Sequence, residues 1–150
     1  GGGTFSSRLF EEVRERRGLA YGVYSSLSTL DHSNALTIGT ATASARADET
    51  LKVIREVVAK MAAEGPTDKE LEDAKKYLVG AYAINNLDSS SSIANTLVQL
   101  QVEDLGIDYI DRRAGLINAV TREEVAAAAK RLLEAEPAVL IVGPEAQDAK

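Results

Sequence analysis

The apolar residues of this chain change period at Gly18. Before it, Phe5, Leu9 and Val13 recur every four positions among arginines and glutamates, so residues 5–17 read as an amphipathic helix. After it, Leu19, Tyr21, Val23 and Leu27 fall on one side of an alternating run and Ala20, Gly22 and Tyr24 on the other, which predicts a strand over residues 19–27. A helix that yields to a strand so abruptly needs a sharp reversal. Gly18 supplies it as a left-handed C-terminal cap, and Arg16 and Arg17 lie where the helix dipole favours cations.

The polar cluster Asp31-His32-Ser33-Asn34 predicts a turn, and residues 36–42, rich in β-branched side chains, resume a strand, so the two strands read as an antiparallel hairpin. Its small residues Gly39, Ala41 and Ala43 allow helices to approach one face. Helical patterns follow. Asp48 is placed to cap a helix with the stripe Leu51, Ile54, Val58 and Met61, ended by Gly65-Pro66. Thr67-Asp68-Lys69-Glu70 is a capping box before a long helix through Leu71, Ala74, Leu78, Ala81 and Tyr82. The serines 89–92 offer caps for a helix carrying Ile93, Leu97, Leu100 and Leu105 up to Gly106. A short helix spans residues 109–116, and Thr121-Arg122-Glu123-Glu124 repeats the capping box before Val125, Ala128 and Leu132. Residues 138–142, uninterruptedly apolar, read as a strand covered on both faces, closed by Gly143-Pro144.

This order gives an α+β fold, an antiparallel sheet with helices packed on one face. Three strands are few for so many helices, and Met61 is the only methionine. The expectation is therefore a domain truncated at its N-terminus, over residues 1–144, with a polar tail at residues 145–150.

Charge and composition remove several classes of function. Seventeen Lys and Arg against 23 Asp and Glu give a net charge of −6, and the basic residues are interleaved with acidic ones, so no cationic face for nucleic acid is expected. No apolar run approaches the ~20 residues of a membrane span, and no signal peptide is evident. The compartment stays open between cytoplasm and periplasm. With no cysteine and one histidine, disulfides, thiolate sites, helical two-histidine zinc motifs and a serine–histidine hydrolase elbow all lack their residues. His32 reads as a solvated turn residue and the serines 89–92 as caps. The three glycines at the start precede no phosphate-binding motif. The carboxylate neighbours Glu11 and Glu12, Glu72 and Asp73, and Glu123 and Glu124 do not face one another on a helix.

The junction itself is what remains. Arg14 near the helix end and Tyr21 at the strand start put a guanidinium and a phenol within reach of one point, a pairing suited to a peptide carbonyl or a developing oxyanion. Spacing alone favours the plainer reading, a surface arginine beside a core tyrosine.

Gly1-Gly2-Gly3-Thr4-Phe5-Ser6-Ser7-Arg8-Leu9-Phe10, followed by Val13-Arg14-Glu15-Arg16-Arg17-Gly18-Leu19-Ala20-Tyr21-Gly22-Val23-Tyr24-Ser25, closely resembles the C-terminal half of the pitrilysin/insulinase zinc metallopeptidases. Small bacterial members and mitochondrial processing peptidases belong to that group. The likeness continues through Glu70-Leu71 and Ala74-Lys75 and ends at the apolar run before Gly143-Pro144. The resemblance implies one half of a clam shell of two homologous α+β domains. In such proteins the other half carries zinc on an inverted His-x-x-Glu-His motif, while this half supplies an arginine and a tyrosine that bind substrate backbone. Arg14 and Tyr21 match that pair in type and spacing.

The resemblance thus implies a substrate-binding, non-zinc half domain of a zinc endopeptidase, itself inactive. No metal ligand or catalytic residue is expected in this chain. Its expected partners are a peptide or protein substrate and an N-terminal zinc half or separate zinc subunit, with self-association through an unpaired strand edge. The alternative within the family is a non-catalytic structural or assembly subunit. Outside it, a plain helical interaction module would show no convergence of Arg14 with Tyr21.

Overall fold

The computed structural model describes residues 7–30 and 32–144. They form a two-stranded antiparallel sheet and a series of helices in two compact units. One unit is Gly1–Ala63 with Leu132–Lys150, the other Glu64–Arg131.

The first unit opens with the Ser7 hydroxyl accepting the Phe10 amide, which caps α1 (Arg8–Phe10). The helix then widens into a π-helical turn over Glu11–Glu15, with the Arg16 amide reaching the Glu11 carbonyl five residues back. The sequence predicts plain α-helix here. A wider turn accommodates one residue more before the chain reverses. Reversal occurs at Gly18, whose φ of +56° is the left-handed conformation expected of it. The Gly18 amide bonds the Arg14 carbonyl and the Leu19 amide the Val13 carbonyl, a Schellman-like closure widened by one residue.

The hairpin consists of β1 (Ala20–Leu30) and β2 (Ser33–Thr42), longer toward the turn than the sequence predicts, with Leu30 paired to Ser33. The ladder slips between Ala20 and Val23. That irregularity breaks the predicted alternation: Ala20 and Val23 are both buried, whereas Tyr21 is 82% exposed and does not share a side with Leu19 and Val23. Both outer edges of this sheet are unpaired among the described residues, the feature on which the expectation of self-association rests.

A 3-10 turn, Ser44–Arg46, leads into α2 (Ala47–Glu64), which starts ahead of the predicted Asp48 cap. The helix buries Thr50 and Val53 and packs Val57 and the predicted Ile54 against the core, while the predicted Leu51, Val58 and Met61 are half-buried, so the inward stripe is rotated by about one position from the predicted one. Val53 joins Leu9, Phe10, Val13, Leu19, Ala20 and Val23 in one apolar cluster. This is the core on which the bend is built.

Residues 138–142 correct the sequence reading. They form no strand, and Leu140 and Val142 are each 87% exposed. An apolar run becomes a covered strand only where a ladder partner and two covering layers exist, and the described residues give this one neither. Residues 145–150, where the polar tail is expected, lie outside the described residues, as do Phe5 and the initial glycines.

The second unit is helical: α3 (Asp68–Asn86), α4 (Ser90–Val102), α5 (Tyr109–Ala119) and α6 (Arg122–Leu133), the last running past the unit's end. Its capping signals are realised. The Thr67 amide donates to Glu70 at 2.7 Å while the Glu70 amide donates to the Thr67 hydroxyl. Thr121 and Glu124 repeat this arrangement, and Ser89 caps α4. Ties between helices run from basic side chains to backbone carbonyls: Lys75 to Asn118, Arg113 to Leu78 and Arg122 to Pro66.

Candidate peptide-gripping bend

Arg14 leaves the π-helical turn and Tyr21 follows the reversal at Gly18, and the structure brings them together. The Arg14 guanidinium carbon lies 4.6 Å from the centroid of the Tyr21 ring and 4.8 Å from that of Phe10. Both distances are within cation–π range. The Arg14 side chain is half-buried, and its Nε faces Glu15 at 3.5 Å. Among the described residues its guanidinium makes no hydrogen bond, and Glu15 is the carboxylate it faces.

The neighbouring arginines are engaged locally. Arg16 contacts Glu11 at 2.7 Å and Glu12 at 2.9 Å, and Arg17 contacts Glu12 at 3.4 Å. The hydrogen bond to Glu11, followed by the charges of Glu11 and Glu12, holds Arg16 above the ordinary guanidinium pKa. These acids therefore offset the cations of the helix end and leave Arg14 distinct in its aromatic setting.

Groups remote in sequence fix the bend. Arg46 Nη1 donates to the Gly18 carbonyl at 2.9 Å, and its Nη2 donates to the Arg17 carbonyl at 3.2 Å. The Thr42 hydroxyl donates to the Leu19 carbonyl at 2.6 Å, and Thr40 to the Gly22 carbonyl at 2.7 Å. Thr50, 1% exposed, donates to the Arg46 carbonyl at 2.8 Å. Carbonyls freed at the end of the helix and at the bulge thus find partners without using Arg14 or Tyr21. The sequence reading singled out neither Arg46 nor Phe10. Phe10 lies four residues before Arg14, a spacing that signals a helical neighbour, but Arg46 carries no local signal.

His32 lies in the hairpin turn and is exposed. Among the described residues no three His, Cys, Asp or Glu side chains are grouped to hold a metal ion. Among the same residues no helix is long and apolar enough to cross a membrane.

Residues 2–78 match the family described as the peptidase M16 inactive domain. An uncharacterized zinc protease of Mycobacterium leprae is 37% identical over 145 residues, covering 97% of this chain and 32% of that protein. The non-peptidase homolog YmxG of Helicobacter pylori is 37% identical over 99 residues, 63% of this chain and 22% of its own length. Among solved structures, a peptidase M16 inactive domain from Pseudomonas fluorescens superposes with a TM-score of 0.77 at 35% identity, covering 89% of this chain and 31% of that one. The chain thus spans about a third of the length of the full-length zinc-protease relatives it matches. On the strength of the family match and these relatives, the chain belongs to the peptidase M16 family as an inactive domain of zinc-protease-like proteins.

Proposed function

We propose that this chain is the substrate-gripping half of a zinc-dependent endopeptidase, with the metal on an N-terminal half or a separate subunit. The carrying observation is Arg14: a half-buried guanidinium over the Tyr21 ring, with no hydrogen bond to its own chain among the described residues. Such a group can donate two parallel hydrogen bonds to peptide carbonyls, and the exposed Tyr21 adds a phenolic donor beside it. Together they orient an extended backbone without reading its side chains. The unpaired sheet edges support the same mode, since an extended peptide can add to a hairpin as a further strand. Bond cleavage is the work of the other half, and this chain alone is inactive.

The test compares cleavage of a quenched-fluorescent peptide pool by the assembled protein carrying Arg14→Ala or Tyr21→Phe. Loss of these charge-assisted hydrogen bonds should lower cleavage roughly 10- to 100-fold for Arg14→Ala, with a smaller drop for Tyr21→Phe and nearly unchanged melting temperatures. Full activity in both variants overturns the proposal. A second reading, a non-catalytic assembly subunit, draws support from the relative named a non-peptidase homolog. An inverted zinc motif in the adjoining half or partner subunit decides for the peptidase, and its absence for the subunit.

A further inference from the structure

Arg14 touches two aromatic rings of opposite character. Tyr21 is 82% exposed, whereas Phe10 is 8% exposed and belongs to the apolar cluster with Leu9, Val13 and Val23. The guanidinium carbon is nearly equidistant from them, 4.8 Å from the Phe10 centroid and 4.6 Å from that of Tyr21. A ring enclosed by core side chains has little freedom to turn, while an exposed tyrosine can rotate when a ligand arrives. Phe10 and Arg14 sit four residues apart along the helical segment, the spacing at which one side chain lies over the next.

Resting on the peptide-gripping reading above, we infer that Phe10 is a positioning residue for Arg14, a fixed aromatic floor that holds the guanidinium while Tyr21 adjusts to the peptide. A long arginine side chain in water samples many rotamers, and ordering it on binding weakens affinity. The Phe10 ring restricts that freedom before the ligand arrives. It also leaves the N–H edge uncovered, because a guanidinium stacked over a ring keeps its in-plane donors free. Tyr21, at 82% exposure, lacks the enclosing side chains that hold Phe10 in place.

The experiment labels arginine with carbon-13 in the full chain and follows the Arg14 side-chain resonances, assigned through Arg14→Lys. Ring currents from the stacked aromatics should displace the Arg14 δ-protons upfield of those of exposed arginines. Phe10→Leu, which keeps an apolar side chain but removes the ring, should abolish most of that displacement, and Phe10→Tyr should retain it. Tyr21→Leu should leave the Phe10 share in place. In parallel, binding of a fluorescein-labelled twelve-residue peptide of alternating alanine and serine should weaken about three-fold in Phe10→Leu and recover in Phe10→Tyr.

A wild-type Arg14 without the displacement overturns the inference, as does a Phe10→Leu variant with wild-type resonance and affinity. Should Phe10→Leu fail to fold, Phe10→Met and the wild-type spectrum decide the matter. The two readings fail separately. If Arg14→Ala binds the peptide as the wild type does, the gripping role falls whatever Phe10 does; if Arg14→Ala is crippled and Phe10→Leu is not, only the positioning role falls.

Discussion

In the first unit seven apolar side chains from α1, the π-helical turn, the bend, β1 and α2 close on one another, and Val13 is fully inaccessible. In the second unit, among the described residues, only Leu100, Gly65 and Pro66 are buried, while Ile84, Val98, Val102, Ile107 and Leu116 are exposed. Its helices are started by side-chain caps and tied by basic side chains to carbonyls. The contrast teaches where the candidate site derives its rigidity. Arg14 and Tyr21 project from the unit with the larger buried apolar cluster, so under the proposed function the guanidinium is carried by a packed support.

Two glycines give the largest expected effect and the sharpest contrast. Gly65, at φ +68°, would carry a Cβ 2.7 Å from the Ala126 Cβ and 3.2 Å from its Cα. Gly65→Ala therefore adds a steric conflict with helix backbone to the left-handed penalty and should cost about 3 kcal/mol. Gly18, at φ +56°, has nothing within 4 Å of that position, so Gly18→Ala should cost only about 1 kcal/mol. Urea denaturation of both variants checks this, and equal losses would show that the close approach at Gly65 is absent.

A matched pair of valines addresses burial next. Val13→Ala should lose about 2 kcal/mol, since two methyl groups leave a fully enclosed site, while Val102→Ala, at a position 74% exposed, should stay within about 0.5 kcal/mol. Comparable values would erase the contrast between the units.

The smallest effect concerns the α6 cap. Hydrogen bonds from the Thr121 amide, and then its hydroxyl, hold the Glu124 carboxyl below its usual pKa. A carboxyl with a depressed folded-state pKa stabilises above its unfolded value and loses that contribution as the pH falls through the folded one. Hydrogen-exchange protection in the first turn of α6 should accordingly fall on acidification and hold steady above the carboxyl range. Glu124→Gln should remove that pH dependence, and a variant that keeps it would assign the effect to other groups.

What was legible in the sequence follows from the range of the interactions. The Thr67 and Thr121 boxes, the Ser89 cap and the left-handed Gly18 each depend on atoms within a few residues, so the residue types alone announce them. The pairing of Arg14 with Tyr21 is legible in the local junction and in the family resemblance, and the guanidinium lies 4.6 Å from the Tyr21 ring centroid. Their roles in peptide binding remain the proposal above. The slip between Ala20 and Val23, beside which Tyr21 is exposed, leaves no mark on the alternation, because a bulge changes the pairing without changing the residue types in the run. The inward stripe of α2 is legible only in part, at Ile54, because several of its faces are apolar and the partner surface selects among them. Residues 138–142 show the limit most plainly, since hydrophobicity reports a wish for cover and a ladder partner must come from elsewhere.

The grip of Arg46 on the Arg17 and Gly18 carbonyls has a mechanical side. Arg46 immediately precedes α2, an 18-residue rod of roughly 27 Å, so the start of that rod and the apex of the bend are pinned at one joint. Any shift of the rod along its axis is delivered to the apex as torque, and the direction in which the guanidinium and the phenol aim becomes a property of the rod's seating.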